Sequence, residues 1–234
     1  MLRQDLKFQF RHGFYLIYGV ITAVYIIILM FIPANNRPIV SVFLIFSDTA
    51  VLGFFFVGGI VLLERSEQLL ESLFISPLTV SEYMLSKIIS LGILSLICST
   101  AILIPSGIHN AARITIIVFG ILISSFLFIC IGMGMAVKVK SVNQYFLWSM
   151  SFMILFVPAI LEAFGVFTSP LIYIIPVRGV LEIIRIGISE TDSDSLVLPI
   201  LSVVPWLAVS FTAVRKIIIT AVIQRGGDKT WIHL

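Results

Sequence analysis

One carboxylate stands in the middle of an apolar run. Asp48 lies between Ile39 and Leu63, a stretch with no other charge. A charged group brought to mid-bilayer costs about 2.5–3.5 kcal/mol on insertion scales, so such a group faces the protein interior or a watery path. Asp48 therefore either lines a substrate path or is held structurally, by an external Arg such as Arg37 or by hydration near the outer leaflet. Glu162 falls toward the end of a later apolar run and is placed near the outer interface. Other chemistry was sought at the spacings it requires. His12, His109 and His233 are too dispersed for a metal site, and no His-Glu-x-x-His occurs. No Gly-x-Ser-x-Gly elbow is present. Cys98 and Cys130 sit inside apolar runs and read as small hydrophobes. They are too few for a disulfide framework. The nearest approach to a phosphate-binding loop is Gly226-Gly227-Asp228-Lys229-Thr230. It fails because Asp228 stands where Gly must precede the Lys, and Ile223 stands where the loop's first Gly belongs. No catalytic, cofactor or metal residue is assigned, so the chain is not expected to be an enzyme.

Two further segments carry patterned charge. In Glu64 to Ser81, Glu64, Gln68 and Glu71 recur at i, i+4, i+7, while Leu70, Leu73 and Phe74 gather on another face. This spacing predicts a short amphipathic helix. Pro77 disfavours helical geometry at Ser76 and ends it. Thr79-Val80-Ser81-Glu82 reads as a capping box that starts the next helix, and Lys87 can snorkel back toward the surface. Glu64, Glu67, Glu71 and Glu82 make an acidic patch, either a solvated loop helix or a docking surface for a partner. In Pro176 to Gly187, Arg178, Glu182 and Arg185 share a polar face opposite Val177, Val180, Leu181 and Ile184. Pro176 suits a first helical turn. A helix of this kind is expected to lie at the outer interface or dip into it.

The elements that must position these residues follow from composition. The 234 residues are 59% hydrophobic and 12% charged, with a mean hydropathy of +1.15. Soluble domains run at about 45–50% apolar and about 25% charged. Lipid is therefore the solvent for most of the chain. That excludes a soluble enzyme, a nucleic-acid module, a disulfide scaffold and a disordered chain. Six stretches reach the roughly 20 apolar residues a spanning helix needs: 14–32, 39–63, 84–104, 114–137, 145–167 and 196–214. Their length and lack of alternation favour helices over barrel strands. Glycine and serine pairs, among them Ser95 and Ser99, Gly120 and Ser124, and Gly132 and Gly134, fit close helix contacts. Gly58 and Gly59 are placed to bend the second span.

Six spans put both termini on one side. That side gathers Arg3, Lys7, Arg11, Arg65, Lys87, Lys138, Lys140, Arg215, Lys216, Arg225 and Lys229, against Arg37, Arg113, Arg178 and Arg185 on the other. Both termini are expected to be cytoplasmic. The net charge of +3 then reflects loops held at an anionic membrane face rather than nucleic acid. In residues 1–13, Arg3, Lys7 and Arg11 repeat at i, i+4, i+8, with Leu2, Leu6 and Phe10 beside them. This is either an interfacial helix with its basic side toward headgroups or an ordinary basic tail. The expected fold is an all-α membrane protein: an interfacial helix over 1–13, a permease domain over 14–219, a cytoplasmic coupling segment over 64–81, an external segment over 168–195 and a cytoplasmic tail over 220–234.

This layout resembles the membrane subunit of a type-2 ABC exporter. The carrying residues are Glu64, Arg65, Glu67, Leu69, Leu70, Glu71, Leu73, Ser76, Pro77, Leu78, Glu82 and Lys87: a charged stretch, a helix ending in a Ser-Pro step, then Glu and Lys entering the third span. Gln68 stands where many members have Gly-Thr or a similar pair. Length and layout are most similar to the small permeases of drug or fluoroquinolone export. The resemblance implies a homodimer or heterodimer of six-span subunits in the cell membrane, driven by separate ABC ATP-binding subunits and moving an amphipathic or lipophilic substrate outward. Glu64, Glu67, Glu71, Leu73, Phe74, Ser76, Pro77 and Glu82 would couple to the ATPase, and Arg178, Glu182 and Arg185 would belong to an outer gate or re-entrant helix. Two other readings stay open: an ion-coupled secondary transporter, and a membrane assembly protein without transport activity.

Overall fold

The computed structural model describes residues 2–67, 79–108, 110–163, 165, 169, 172, 174–188 and 195–226. The described residues form helices and no strand. Helix α1 (Leu2–Arg11) precedes α2 (Phe14–Phe31), and the second span joins α3 (Arg37–Ser47) to α4 (Gly53–Ser66). Then come α5 (Val80–Leu103), α6 (Ala111–Lys138), α7 (Val142–Met153), α8 (Val157–Ala163), α9 (Pro176–Ile188) and α10 (Val197–Gly226). Six stretches are long and apolar enough to cross a membrane: Phe14–Phe31, Ala34–Ser66, Val80–Ser106, Ala111–Lys138, Val142–Ala163 and Val197–Ala221. A helix satisfies its backbone groups within its own segment, as lipid requires. The sixth helix runs on to Gly226, well past Val214, with Arg215 and Lys216 exposed on it.

Local chemistry explains the breaks. The boundary between α3 and α4 is a π-helical turn, Asp48–Leu52, so the second span is continuous but locally widened at its mid-span carboxylate. The fifth span is broken by a 3-10 turn at Ile154–Phe156. Pro158 has no N–H to give the carbonyl four residues back, and its ring crowds that carbonyl. Thr79 and Glu82 form the capping box of α5: Thr79 N–H donates to Glu82 Oε2 at 2.8 Å, and Glu82 N–H donates to Thr79 Oγ1 at 3.3 Å.

The second, third and fourth spans make the centre; 56% of each is buried, against 17%, 17% and 22% for the first, fifth and sixth. The outer three therefore present most of their surface to lipid or to another chain. One apolar core lies toward the α9 end, around Phe46, Phe54, Phe128 and Ile184. A second lies toward the termini, around Val57, Met84, Met133, Tyr145 and Ile218.

Of the two placements expected for α9, at the interface or dipping into it, the second describes it. Val177, Val180, Leu181, Ile183, Ile184, Ile186 and Ile188 are all buried, so the helix is wedged into one end of the bundle. Glycine permits this. A Cβ on Gly179 would stand 2.3 Å from Ser202 Oγ of α10, and one on Gly187 would stand 2.4 Å from Ile117 of α6.

Candidate functional site

At the end of the bundle nearest the termini, three helices meet on buried charge. Lys87, on α5, is fully buried, and its Nζ donates to both Asp5 Oδ1 of α1 and Glu64 Oε1 of α4. Ser86 Oγ donates to the other oxygen of Asp5. Tyr83 O–H donates to Glu64 Oε2 at 2.9 Å, and Gln9 Nε2 donates to Ser90 Oγ at 2.9 Å. An ammonium has three donors, and burial without partners would be prohibitive. Two carboxylates supply what water would have supplied.

This node revises three expectations. Lys87 does not snorkel to the surface, because Asp5 and Glu64 hold it inside. Glu64 does not share an exposed face with Glu67; it is buried, while Glu67 is exposed and lies 3.6 Å from His12 Nε2. Helix α1 exists, but its buried face is polar, Asp5 and Gln9, while Leu2 and Phe10 are exposed. The polar partners on α5 outweigh the apolar stripe because an unpaired buried lysine costs more than an exposed phenylalanine in contact with lipid. Asp5, Gln9, Ser86 and Ser90 were not singled out from sequence. Their signal was there: Asp5 and Gln9 at i, i+4, and Ser86, Lys87 and Ser90 clustered within one turn of a helix otherwise rich in apolar residues.

The node sits at the root of the charged segment between the second and third spans. Glu71, Leu73, Phe74, Ser76 and Pro77 lie outside the described residues. Glu82 is exposed, and its carboxylate is used by the Thr79 cap.

Asp48 opens the π-helical turn and is fully buried. Arg37 does not reach it. The two are eleven residues apart on one span, about 16 Å by helical rise, and Arg37 Nε instead donates to the Ile32 carbonyl at 3.0 Å. Ser99 Oγ donates to Asp48 Oδ2 at 2.8 Å, with Ser95 one turn away on the same face of α5. Asp48 Oδ1 has no hydrogen-bond partner among the described residues. Thr49, beside it, shares a 2.8 Å hydrogen bond with Ser124 of α6. The serines read as small packing residues are thus also the polar lining of this carboxylate.

At the opposite end, the charged face of α9 meets α8 and α3. Arg178 Nε donates to Glu162 Oε2 at 2.8 Å, and Arg185 Nη2 donates to Glu182 Oε1 at 2.6 Å. These four groups edge a cavity of about 400 Å³ whose remaining walls are apolar, including Ile39, Phe43, Leu181 and Ile188. Pockets that take drug-sized molecules have volumes of about 300–1,000 Å³ and combine apolar walls with a few polar groups.

A family model of fluoroquinolones export permease proteins matches residues 1–225. The chain belongs to that family. Two relatives are called fluoroquinolones export permease protein, one from each of the Mycobacterium tuberculosis strains CDC 1551/Oshkosh and ATCC 25618/H37Rv. Each is 26% identical over 228 residues, covering 97% of this chain and 91% of the relative. The match runs through all six candidate spans, α1 and α9. This is a multi-pass membrane permease of the drug-export type. Its charged node, its buried Asp48 and its α9 cavity lie within the matched length.

Proposed function

We propose that this permease is the membrane subunit of an ATP-driven exporter that moves amphipathic, drug-like molecules of the fluoroquinolone kind out of the cell. It works with a second permease subunit and with separate ATP-binding subunits. The observation that carries the reading is the Asp5–Lys87–Glu64 node. It ties α1, α4 and α5 together where the chain leaves the second span and enters the third, at the two ends of the charged segment. A docking segment transmits force only if its roots are fixed relative to the helices it must move. Buried, mutually hydrogen-bonded charges resist such slippage, because separating them strands an ion in low dielectric. The chain has no phosphate-binding loop of its own, so the engine comes from a partner. The exposed faces of α7, α8 and the turn between them, with Leu147, Trp148, Met150, Leu155 and Leu161, are available to lipid and to a second subunit.

The test is reconstitution of the permease with the ATPase that co-purifies with it. Reversing charge at Glu67 and Glu71 together is expected to abolish substrate-stimulated ATP hydrolysis and fluoroquinolone transport, with the permease still folded and monodisperse. Wild-type stimulation by the double variant, or uphill transport by the permease with no ATPase present, would remove the proposal.

A further inference from the structure

Helix α1 has two charged faces, and the buried node uses only one of them. Asp5 and Gln9 turn inward to Ser86, Lys87 and Ser90 of α5. Arg3, Lys7 and Arg11 point the other way. At 3.6 residues per turn, the middle of that stripe lies about 180° around the helix from the middle of the Asp5–Gln9 pair. All three cations are exposed, and none has a hydrogen bond or ion pair among the described residues. One flank between the two faces is apolar, with Leu2, half-buried Leu6 and Phe10, and Phe10 is 76% exposed. Gly13 takes a left-handed φ of 73°, which a continuous helix does not contain. Helix α1 is therefore a separate helix standing at the end of the first span, where the hydrocarbon gives way to headgroups. Exposed cations beside an exposed apolar flank at that depth suit a helix lying in the membrane interface.

We propose that the Arg3–Lys7–Arg11 stripe is a binding site for anionic phospholipid headgroups, and that the bound lipid holds α1 on Lys87. Charge complementarity selects the lipid. A choline headgroup carries its own cation beside the phosphate, whereas an anionic headgroup leaves its charge for the protein. An acidic soluble partner would answer the cations but would leave Leu2 and Phe10 in water; acyl chains directly beneath the headgroups cover them. The two charged faces are coupled because one short helix carries both. A helix of 10 residues is marginal in water, so α1 persists only where its faces are held. If it unwinds, the stripe scatters, Asp5 and Gln9 leave α5, and Lys87 keeps Glu64 as its one carboxylate among the described residues. Headgroups that bind the wound helix therefore stabilise the buried node by mass action, without touching it. Each Lys or Arg near an anionic surface strengthens attraction about fivefold, and three in line about a hundredfold. Membrane charge thereby controls the anchor at the root of the charged segment.

The test is amide hydrogen exchange of the full-length permease in lipid nanodiscs. Two membranes are compared: phosphatidylcholine alone, and an equal mixture with phosphatidylglycerol. The α1 amides of the wild type are expected to exchange more slowly in the anionic membrane, by about tenfold or more. Molar salt, which shortens the screening length to about 3 Å, is expected to remove the difference. The triple variant Arg3→Gln, Lys7→Gln, Arg11→Gln is expected to match the wild type in phosphatidylcholine and to gain no protection from phosphatidylglycerol. Arg3→Lys with Arg11→Lys keeps the charges and is expected to keep the protection. Dissolved glycerol phosphate is expected to protect α1 in neither membrane, because it brings no acyl chains to Leu2 and Phe10. Equal exchange of the wild type in both membranes, or full lipid protection of the triple variant, overturns the site. Protection by glycerol phosphate overturns it too, since the stripe would then be a site for a soluble anion. If the triple variant unwinds α1 in both membranes, the lysine pair decides: loss of its lipid response shows that the arginines are structural and refutes the proposal, and retention upholds it.

Discussion

Two buried acids show how differently the same residue type is accommodated. Glu64 is neutralised by a lysine within its own network, whereas Asp48 has a serine hydroxyl on one oxygen and no partner among the described residues on the other. For the Lys87 node the energetic logic is asymmetric. Removing one member of a buried ionic group costs about 3–5 kcal/mol, because it strands its partners, whereas replacing the whole group by neutral residues is often tolerated. Lys87→Met is therefore expected to lower the melting midpoint of the detergent-solubilised permease sharply. The triple change Asp5→Asn, Glu64→Gln, Lys87→Met is expected to recover most of that loss while weakening coupling to ATP hydrolysis. A Lys87→Met variant that melts with the wild type would show that the node carries no weight. At this scale the sequence was half legible. Asp48 announced itself as a lone charge in an apolar run. Glu64 and Lys87 did not, because they pair across 23 positions and Lys87 also reaches Asp5, 82 positions away; helical spacing alone put Glu64 on the same face as Gln68 and Glu71, and only packing against α5 shows that it points inward, to Lys87 and Tyr83.

At the scale of elements, the spans were legible because lipid imposes one rule on every stretch: about 20 apolar residues with internally satisfied backbone. The capping box at Thr79 was legible for a similar reason, since it is complete within four residues. The seat of α9 was not. Its three charged residues look like one side of a surface helix, and nothing local says that Gly179 and Gly187 will let α10 and α6 approach the backbone from two other directions. Gly58 carries the same lesson. It reads as a hinge, yet its role is clearance. A Cβ there would fall 2.0 Å from Tyr145 Cζ, and the Tyr145 hydroxyl donates to the Phe54 carbonyl at 2.7 Å. The glycine lets the first turn of α7 lock against α4. Gly58→Ala should then destabilise by about 1–3 kcal/mol through overpacking. Adding Tyr145→Ala should cost less than the sum of the two single changes, a coupling that a double-mutant cycle on unfolding midpoints measures directly. Strict additivity would mean that the glycine matters as a hinge and not as a socket.

At the scale of the whole molecule, orientation decides whether the parts can work together. The charged segment between the second and third spans can meet an ATPase only if the termini face the cytoplasm, and the α9 cavity then opens on the far side, where an exporter releases its cargo. Lysine and arginine divide eleven to four between the two ends, and such a bias sets orientation during insertion. Two of the four on the minority side, Arg178 and Arg185, are engaged with Glu162 and Glu182, so they are explained by the packing and chemistry of α9 without contradicting that bias. Cysteine labelling tests the arrangement cleanly, because the native Cys98 and Cys130 are both buried. A cysteine at Ser141, the exposed N-cap of α7, should react with a membrane-impermeant maleimide only after cells are permeabilised. One at Ser189, just beyond α9, should react in intact cells. The reverse pattern would place the charged segment outside the cell, beyond the reach of cytoplasmic ATP, and would turn the α9 cavity inward. An exporter could not be assembled from those pieces in that order. The same polypeptide would then have to be a transporter driven by something other than nucleotide, with the buried carboxylate of Asp48 the one Asp, Glu, Lys or Arg side chain in the middle of a span among the described residues.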